Sequence, residues 1–480
     1  MSRILVFFFC WFSSPVFANI LVIGEGHGSV VKADMKGLRS GDTLAITPGI
    51  YSDGATFTGL RNITIINYKG LVQFGKSLHI GNLSNVCISG TGASGIFYGF
   101  LFKDIRADVF FIDHKCYGLR ISNCEYSNVD GMAINASNFF TTYTGDSSTL
   151  AMFKTTIANQ HLIKSGGLLV GSWAPVTSFQ NIIDSIAIYN IIIDSTISDV
   201  CQVLGSSIYR LYAHDWTIKG GCPNGKHDAG IFQMNGNGTI CNIYRLGGFG
   251  YLWRIWNVGL NGRAESYLYN CIDLSTDHYG TIDTRIEESD TTTNNTIPFL
   301  RGGSMHIFNN TSGNKRISGN YVSVLVVAGV FFSQNGYKLE VRNNLSFNNK
   351  TDNANPIIKQ NTPDPLSDTS NNLYVDDPIE SEVLADTIDC FIAENSPAID
   401  NGVPIPIVKT DIAGIVRPKG DGYDIGAREF NGRKSTSREH VAGVGRKLLW
   451  IFFLLALVIA VVIWVKKLRS GRQIKKTFLL

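Results

Sequence analysis

Between residues 19 and 430 this chain carries no amphipathic helical pattern longer than two or three turns. It returns instead to one short phrase, in which a few alternating β-branched and aromatic residues are closed by Asn, Asp, Ser or Gly. Leu119-Arg120-Ile121-Ser122-Asn123, Asn190-Ile191-Ile192-Ile193-Asp194, Met305-His306-Ile307-Phe308-Asn309 and Leu339-Glu340-Val341-Arg342-Asn343 are examples. Period-two alternation predicts strands. Asn and Gly tolerate positive φ, so they suit the corners between strands. The chain holds 38 Asn residues, and many close such runs, which makes Asn the expected corner residue.

Two architectures accept many short strands, an antiparallel sandwich or barrel and a solenoid. Asn-Gly hairpin signals between paired strands are sparse, which disfavours the first. Similar strand-corner units over about 350 residues favour the second. A solenoid core grows with chain length because each coil packs only on its neighbours. At about 22–30 residues per coil, the body would hold roughly a dozen coils.

The two ends read differently. Residues 4–12 are apolar behind Arg3, too short to cross a bilayer, and Val16-Phe17-Ala18 offers a cleavage site. The pattern is that of a secretory signal ending at residue 18. Residues 448–465 form an uncharged apolar run with Trp450 and Trp464 near its ends, and Lys466, Lys467 and Arg469 follow it. Such a run has the length of a membrane-spanning helix. Residues 466–480 are then a basic cytoplasmic tail, and the polar stretch 431–447 a linker. A sorting signal that is later cut away is the rival reading of the same run. The expected location is a single-pass cell membrane, with the body periplasmic or on the cell surface.

Nine of the 42 Lys and Arg residues lie outside 19–445, and none of the 39 Asp and Glu do. The body therefore carries 33 basic against 39 acidic side chains, a net charge of −6. A nucleic-acid partner needs a basic footprint, so none is expected. The cysteines that remain after cleavage are too widely spaced for a paired zinc motif. Small buried side chains are the better reading for most of them.

Near the C-terminus, Ser396-Pro397-Ala398-Ile399-Asp400-Asn401-Gly402 is followed by Asp411-Ile412-Ala413-Gly414, Arg417-Pro418 and Asp424-Ile425-Gly426-Ala427-Arg428-Glu429. This resembles the SPAIDxG…DIGAxE ending, known as a choice-of-anchor segment, of bacterial surface proteins built on a right-handed parallel β-helix. Gly41-Asp42-Thr43-Leu44 with Pro48-Gly49-Ile50-Tyr51 resembles the first coil of pectate-lyase-like β-helices. Val341-Arg342-Asn343-Asn344 resembles their late coils, and Asn372-Leu373-Tyr374-Val375-Asp376-Asp377-Pro378 their link into the terminal segment. The middle, about 130–300, matches no family by its residues taken together. The resemblance implies an all-β chain: a right-handed single-stranded parallel β-helix over 19–371, a choice-of-anchor segment over 372–430, and then the C-terminal transmembrane helix. It also implies a polysaccharide partner and a monomer.

The densest polar and aromatic stretch is 214–288. Lys226-His227-Asp228 resembles the HxDGI coils of polysaccharide-processing β-helices, with Ala229 interrupting the pattern. His227 suits general acid–base work near neutral pH, Asp228 suits orientation or calcium binding, and Lys226 suits a carboxylate. The plainer reading is that His227 and Asp228 cap a turn. Trp253, Trp256 and His278 are expected to bind substrate, because indole rings stack on sugar faces. Arg254 and Arg285 suit uronic carboxylates. Asp283 and Arg285 are two apart, so a strand puts both on one side. Buried tryptophans and a surface ion pair are the plainer alternatives. His214-Asp215 and Asp130-Gly131 are weaker candidates, and Asp400, Asp411 and Asp424 are expected to cap turns. Two functions stay open: an enzyme on extracellular polysaccharide, foremost a uronate lyase with calcium as its one expected cofactor, and a non-catalytic glycan-binding or adhesion protein.

Overall fold

The structure, a computed structural model, describes residues 18–30, 35–136, 153–171, 182–221, 229–248, 250–258, 264–274, 280–285, 303–314, 326–328, 338–349, 357–360 and 368–432. The signal stretch, the linker beyond residue 432, the apolar run 448–465 and the basic tail lie outside the described residues. So do Lys226, His227, Asp228 and His278.

The chain coils. Every pairing between named strands is parallel, and each coil lays three faces on the coil before it. The first face can be followed through twelve rungs: Ile20, Thr43, Thr64, Cys87, Arg120, Thr156, Ala187, Tyr212, Thr239, Tyr267, His306 and Glu340 stand in one register. This is a parallel β-helix. One residue further along, Ile65, Ile88, Ile121, Ile157 and Ile188 stack inward and are at most 1% exposed. The strict alternation of the sequence phrases is the cause, since neighbouring residues of a strand point to opposite sides.

The corner that follows the first face carries an asparagine ladder. Asn123, Asn159, Asn190, Asn242, Asn270, Asn309 and Asn343 all have φ between 50° and 60°, and Asp215 takes the same place with φ 59°. Left-handed backbone costs most L-residues about 1–2 kcal/mol, and Asn lowers that cost with local hydrogen bonds. The side-chain amides also bond one another: Asn159 Nδ2 donates to Asn123 Oδ1 at 3.3 Å, and Asn190 Nδ2 to Asn159 Oδ1 at 3.0 Å. Partners in these ladders lie 23 to 36 residues apart. The upper value exceeds the expected coil length of about 22–30 residues.

Inside the first coils, Tyr51, Phe74, Phe102 and Tyr126 form a continuous aromatic column with centroids 5.3–5.6 Å apart. It ends where Tyr126 donates its buried hydroxyl to Gln160 Oε1 at 2.7 Å. Gly49 closes the first coil, and a Cβ there would lie 1.9 Å from the Gly26 carbonyl oxygen. The described cysteines are free, and Cys116, Cys124, Cys201, Cys241, Cys271 and Cys390 are buried.

Past residue 376 the chain leaves the coil and lies back along the late corners. Asn270, Asn309 and Asn343 give their side-chain N–H groups to the carbonyls of Thr410, Asp424 and Val403. Asp411 accepts from the N–H of Ala413, Ile415 and Glu429. Asp424 accepts from Asp400 and Phe430, and Asp400 from Gly422. Arg417 and Glu429 pair at the centre with both side chains wholly buried.

Candidate functional site

The third face holds the residues that the sequence singles out. Its inward register runs Leu168, Cys201, Ile231, Trp253 and Ile282. Its outward register runs Leu169, Gln202, Phe232, Arg254 and Asp283. Arg254 Nε donates to Asp283 Oδ2 at 3.2 Å across one rung. The guanidinium also lies 5.9 Å from the Phe232 ring and 5.8 Å from the Tyr251 ring. Arg254 keeps 21% of its side chain exposed, and Asp283 keeps none.

Trp256 and Arg285 stand in register with each other, two residues beyond Arg254 and Asp283. Residue 229, the first of strand Ala229–Arg245, pairs with Tyr251 on this face. Trp253 turns the other way and is 0% exposed, so its ring packs in the core and meets no sugar. Asp215 is a corner residue of the asparagine ladder, bonded to Asn242 and His214. The His214 ring is spent on stacking against Tyr189 and Tyr212. Gly131 packs against the Ala107 backbone in a turn. His214 and Asp215 are thus tied within the solenoid.

A second polar cluster lies on the second face. His161 Nδ1 is 3.0 Å from Glu125 Oε2, and His161 Nε2 is 3.0 Å from Asp194 Oδ2. Lys219 Nζ donates to Asp194 Oδ1 at 2.7 Å, and the Tyr98 ring lies 5.5 Å from the imidazole. Burial raises the Tyr98 pKa, and the Glu125 and Asp194 charges add to the rise. Burial works against the Asp194 carboxylate, but Lys219 and His161 outweigh it, so its pKa falls below the ordinary value. Both ring nitrogens of His161 face carboxylates, which makes the cluster a tie across rungs rather than a free base. Sequence reading missed it. The corner asparagines hold the signal, since Glu125 and His161 each follow their corner residue, Asn123 and Asn159, by two.

No protein-family model matches the chain, and no curated protein matches it. Among solved structures it is similar to pectate lyase Pel9A, at 12% identity and a TM-score of 0.40, over 83% of this chain and 90% of that one. It is similar to alginate lyase AlyF-OU02 at 12% identity and a TM-score of 0.33, over 86% of this chain and 98% of that one. A PL6 alginate lyase in complex with a trisaccharide gives 12% identity and a TM-score of 0.33, over 87% and 98%. None of these likenesses places a residue of this chain in a site.

Proposed function

We propose that this protein engages acidic extracellular polysaccharide along the outward side of the third face and cleaves it by elimination. The observation that supports this is the shared register of Arg254 with Asp283 and of Trp256 with Arg285 on adjacent strands. A 4-linked uronate is cleaved when a base takes the proton at C5 and the bond from C4 to the bridging oxygen breaks. The carboxylate at C5 needs a positive partner while the carbanion forms. Arg254, oriented by Asp283, and Arg285 are the groups for that role, because a guanidinium binds carboxylates bidentately. His227 is the candidate for the base, with Asp228 orienting it and Lys226 as a further partner for the carboxylate. Calcium would supply further carboxylate neutralisation. Among the described residues no group of three or more His, Cys, Asp or Glu side chains is arranged to hold a metal, so no step is routed through it. Export by the signal stretch and retention by 448–465 belong to the same reading, as does action as a monomer at the cell surface.

The test is to incubate the full-length protein, with calcium, with pectate, alginate, chondroitin and hyaluronan, and to follow the ultraviolet absorbance of unsaturated uronate. Product that falls at least a hundredfold in Arg254→Gln supports the lyase. Silence across the panel, with no shortened chains by mass spectrometry, overturns it. The second reading, a non-catalytic glycan binder, draws on the complete burial of Trp253 and Asp283, which makes two of the expected site residues structural. It predicts retention of the same polysaccharides without cleavage.

A further inference from the structure

At the N-terminal end of the solenoid, the turn around 35–40 stands away from the corner 56–63 and leaves a cavity of about 690 Å³. Small-molecule sites commonly have roughly 300–1,000 Å³. The floor is apolar: Leu38 and Leu60 are partly buried and pack on the core, and Ile63 is 4% exposed. Lys36, Arg39 and Arg61 line the cavity, all three are exposed, and among the described residues no carboxylate lines it. Thr56 and Thr58 add hydroxyl groups on one wall.

We propose that this cavity is an anchoring subsite for an acidic polysaccharide, taking one of its uronate units. Such a unit has an apolar C–H face, a set of hydroxyls and a carboxylate, and the cavity presents an apolar floor, hydroxyls and three cations. A fatty acid or lipid would leave the threonine hydroxyls unanswered. The charge balance argues the same way. A body with net charge −6 repels an anionic chain, so binding needs a local cluster of cations. Thr56 also stands in the outward register of the third face, which continues through His79, Phe111, Asn135, Leu169, Gln202 and Phe232 to Arg254. Seven rungs at about 4.8 Å each put the cavity about 34 Å from Arg254 along one sheet. A single extended glycan on this face reaches both, and a chain tethered at the cavity has a raised effective concentration at Arg254.

The subsite rests on the acidic-glycan reading for the class of its ligand and not on catalysis. Calorimetry on the full-length protein with hexagalacturonate and hexamannuronate, against a neutral hexasaccharide, tests it. Arg39→Gln with Arg61→Gln should weaken binding of the acidic hexamer that fits at least tenfold, and Arg39→Lys with Arg61→Lys should recover part of it. Unchanged affinity in the Arg39 and Arg61 double variant overturns the subsite. So does equal binding of the neutral chain, displacement of the sugar by anionic lipid vesicles, or no binding of either acidic hexamer. If no polysaccharide is cleaved while binding that depends on Arg39 and Arg61 persists, the lyase reading falls and the subsite stands.

Discussion

Asp283 is wholly buried beneath the half-buried Arg254 one rung away, and a 3.2 Å contact from Nε to Oδ2 links their side chains. The pair sets the direction of the guanidinium on the outward side of the third face. Removing the carboxylate leaves a partly desolvated cation. Asp283→Ala is expected to cost about 2–4 kcal/mol, and Arg254→Met with Asp283→Leu to recover much of that loss, since apolar replacements of buried pairs are often neutral. Hydrogen exchange of strands Tyr251–Val258 and Ile282–Arg285 measures it locally, which matters because solenoid coils can open separately.

The corner asparagines make a graded prediction. At Asn190, with φ 55°, Ala loses both the amide bond to Asn159 and the tolerance of left-handed backbone. Gly loses only the bond. Asn190→Ala should cost about 2–3 kcal/mol and Asn190→Gly about 1 kcal/mol, read from denaturant midpoints. Equal losses would show that the amide bond alone matters.

The tie at His161 fails in acid. The folded pKa of Asp194 is lowered from 3.8. Its stabilisation is therefore complete above about pH 4 and is lost as the pH falls through the lower folded value. Melting temperatures measured from pH 6 to pH 2.5 should fall less steeply for Asp194→Asn than for the natural chain. Parallel curves would show that the contacts with Lys219 and His161 carry no linkage.

The terminal segment should respond with the opposite sign. Burial raises the pKa of Asp424 and of Glu429, and the nearby Arg417 only partly offsets it. The folded segment then binds protons more tightly than the unfolded chain does, so its stability rises as the pH falls from 7 through the raised values. Hydrogen exchange over 398–430 should slow as the pH is lowered from 7 through the carboxylate range, after correction for intrinsic rates. Arg417→Ala, which leaves Glu429 buried and unpaired, should cost about 3–5 kcal/mol and release the segment to proteases.

How far the chain could be read depended on the range of the interaction. Alternation in Leu119 to Ser122 and the corner role of Asn123 are local properties. They set strand, corner and hence a coil without reference to any distant residue. The turn-capping role of Asp411 towards Ala413 and Ile415 was legible for the same reason, whereas Asp400 caps Gly422 and Asp424 caps Asp400 across more than twenty residues. Which residues become neighbours across rungs was not local. His161 meets Glu125 36 positions back and Asp194 33 positions ahead, and insertions vary the coil length, so no fixed count predicts either contact. Trp253 shows the same limit at a single strand. Alternation separates it from Arg254, but only closure of the coil decides which of the two sides is buried, and the larger apolar ring goes inside. The sequence by itself determined a parallel solenoid with asparagine corners, because backbone conformation and period-two burial act within a few residues. Only the tertiary structure decided that Arg254 faces Asp283, that His161 is tied between two carboxylates and that three cations surround one apolar cavity, because those meetings depend on the length of every insertion between them.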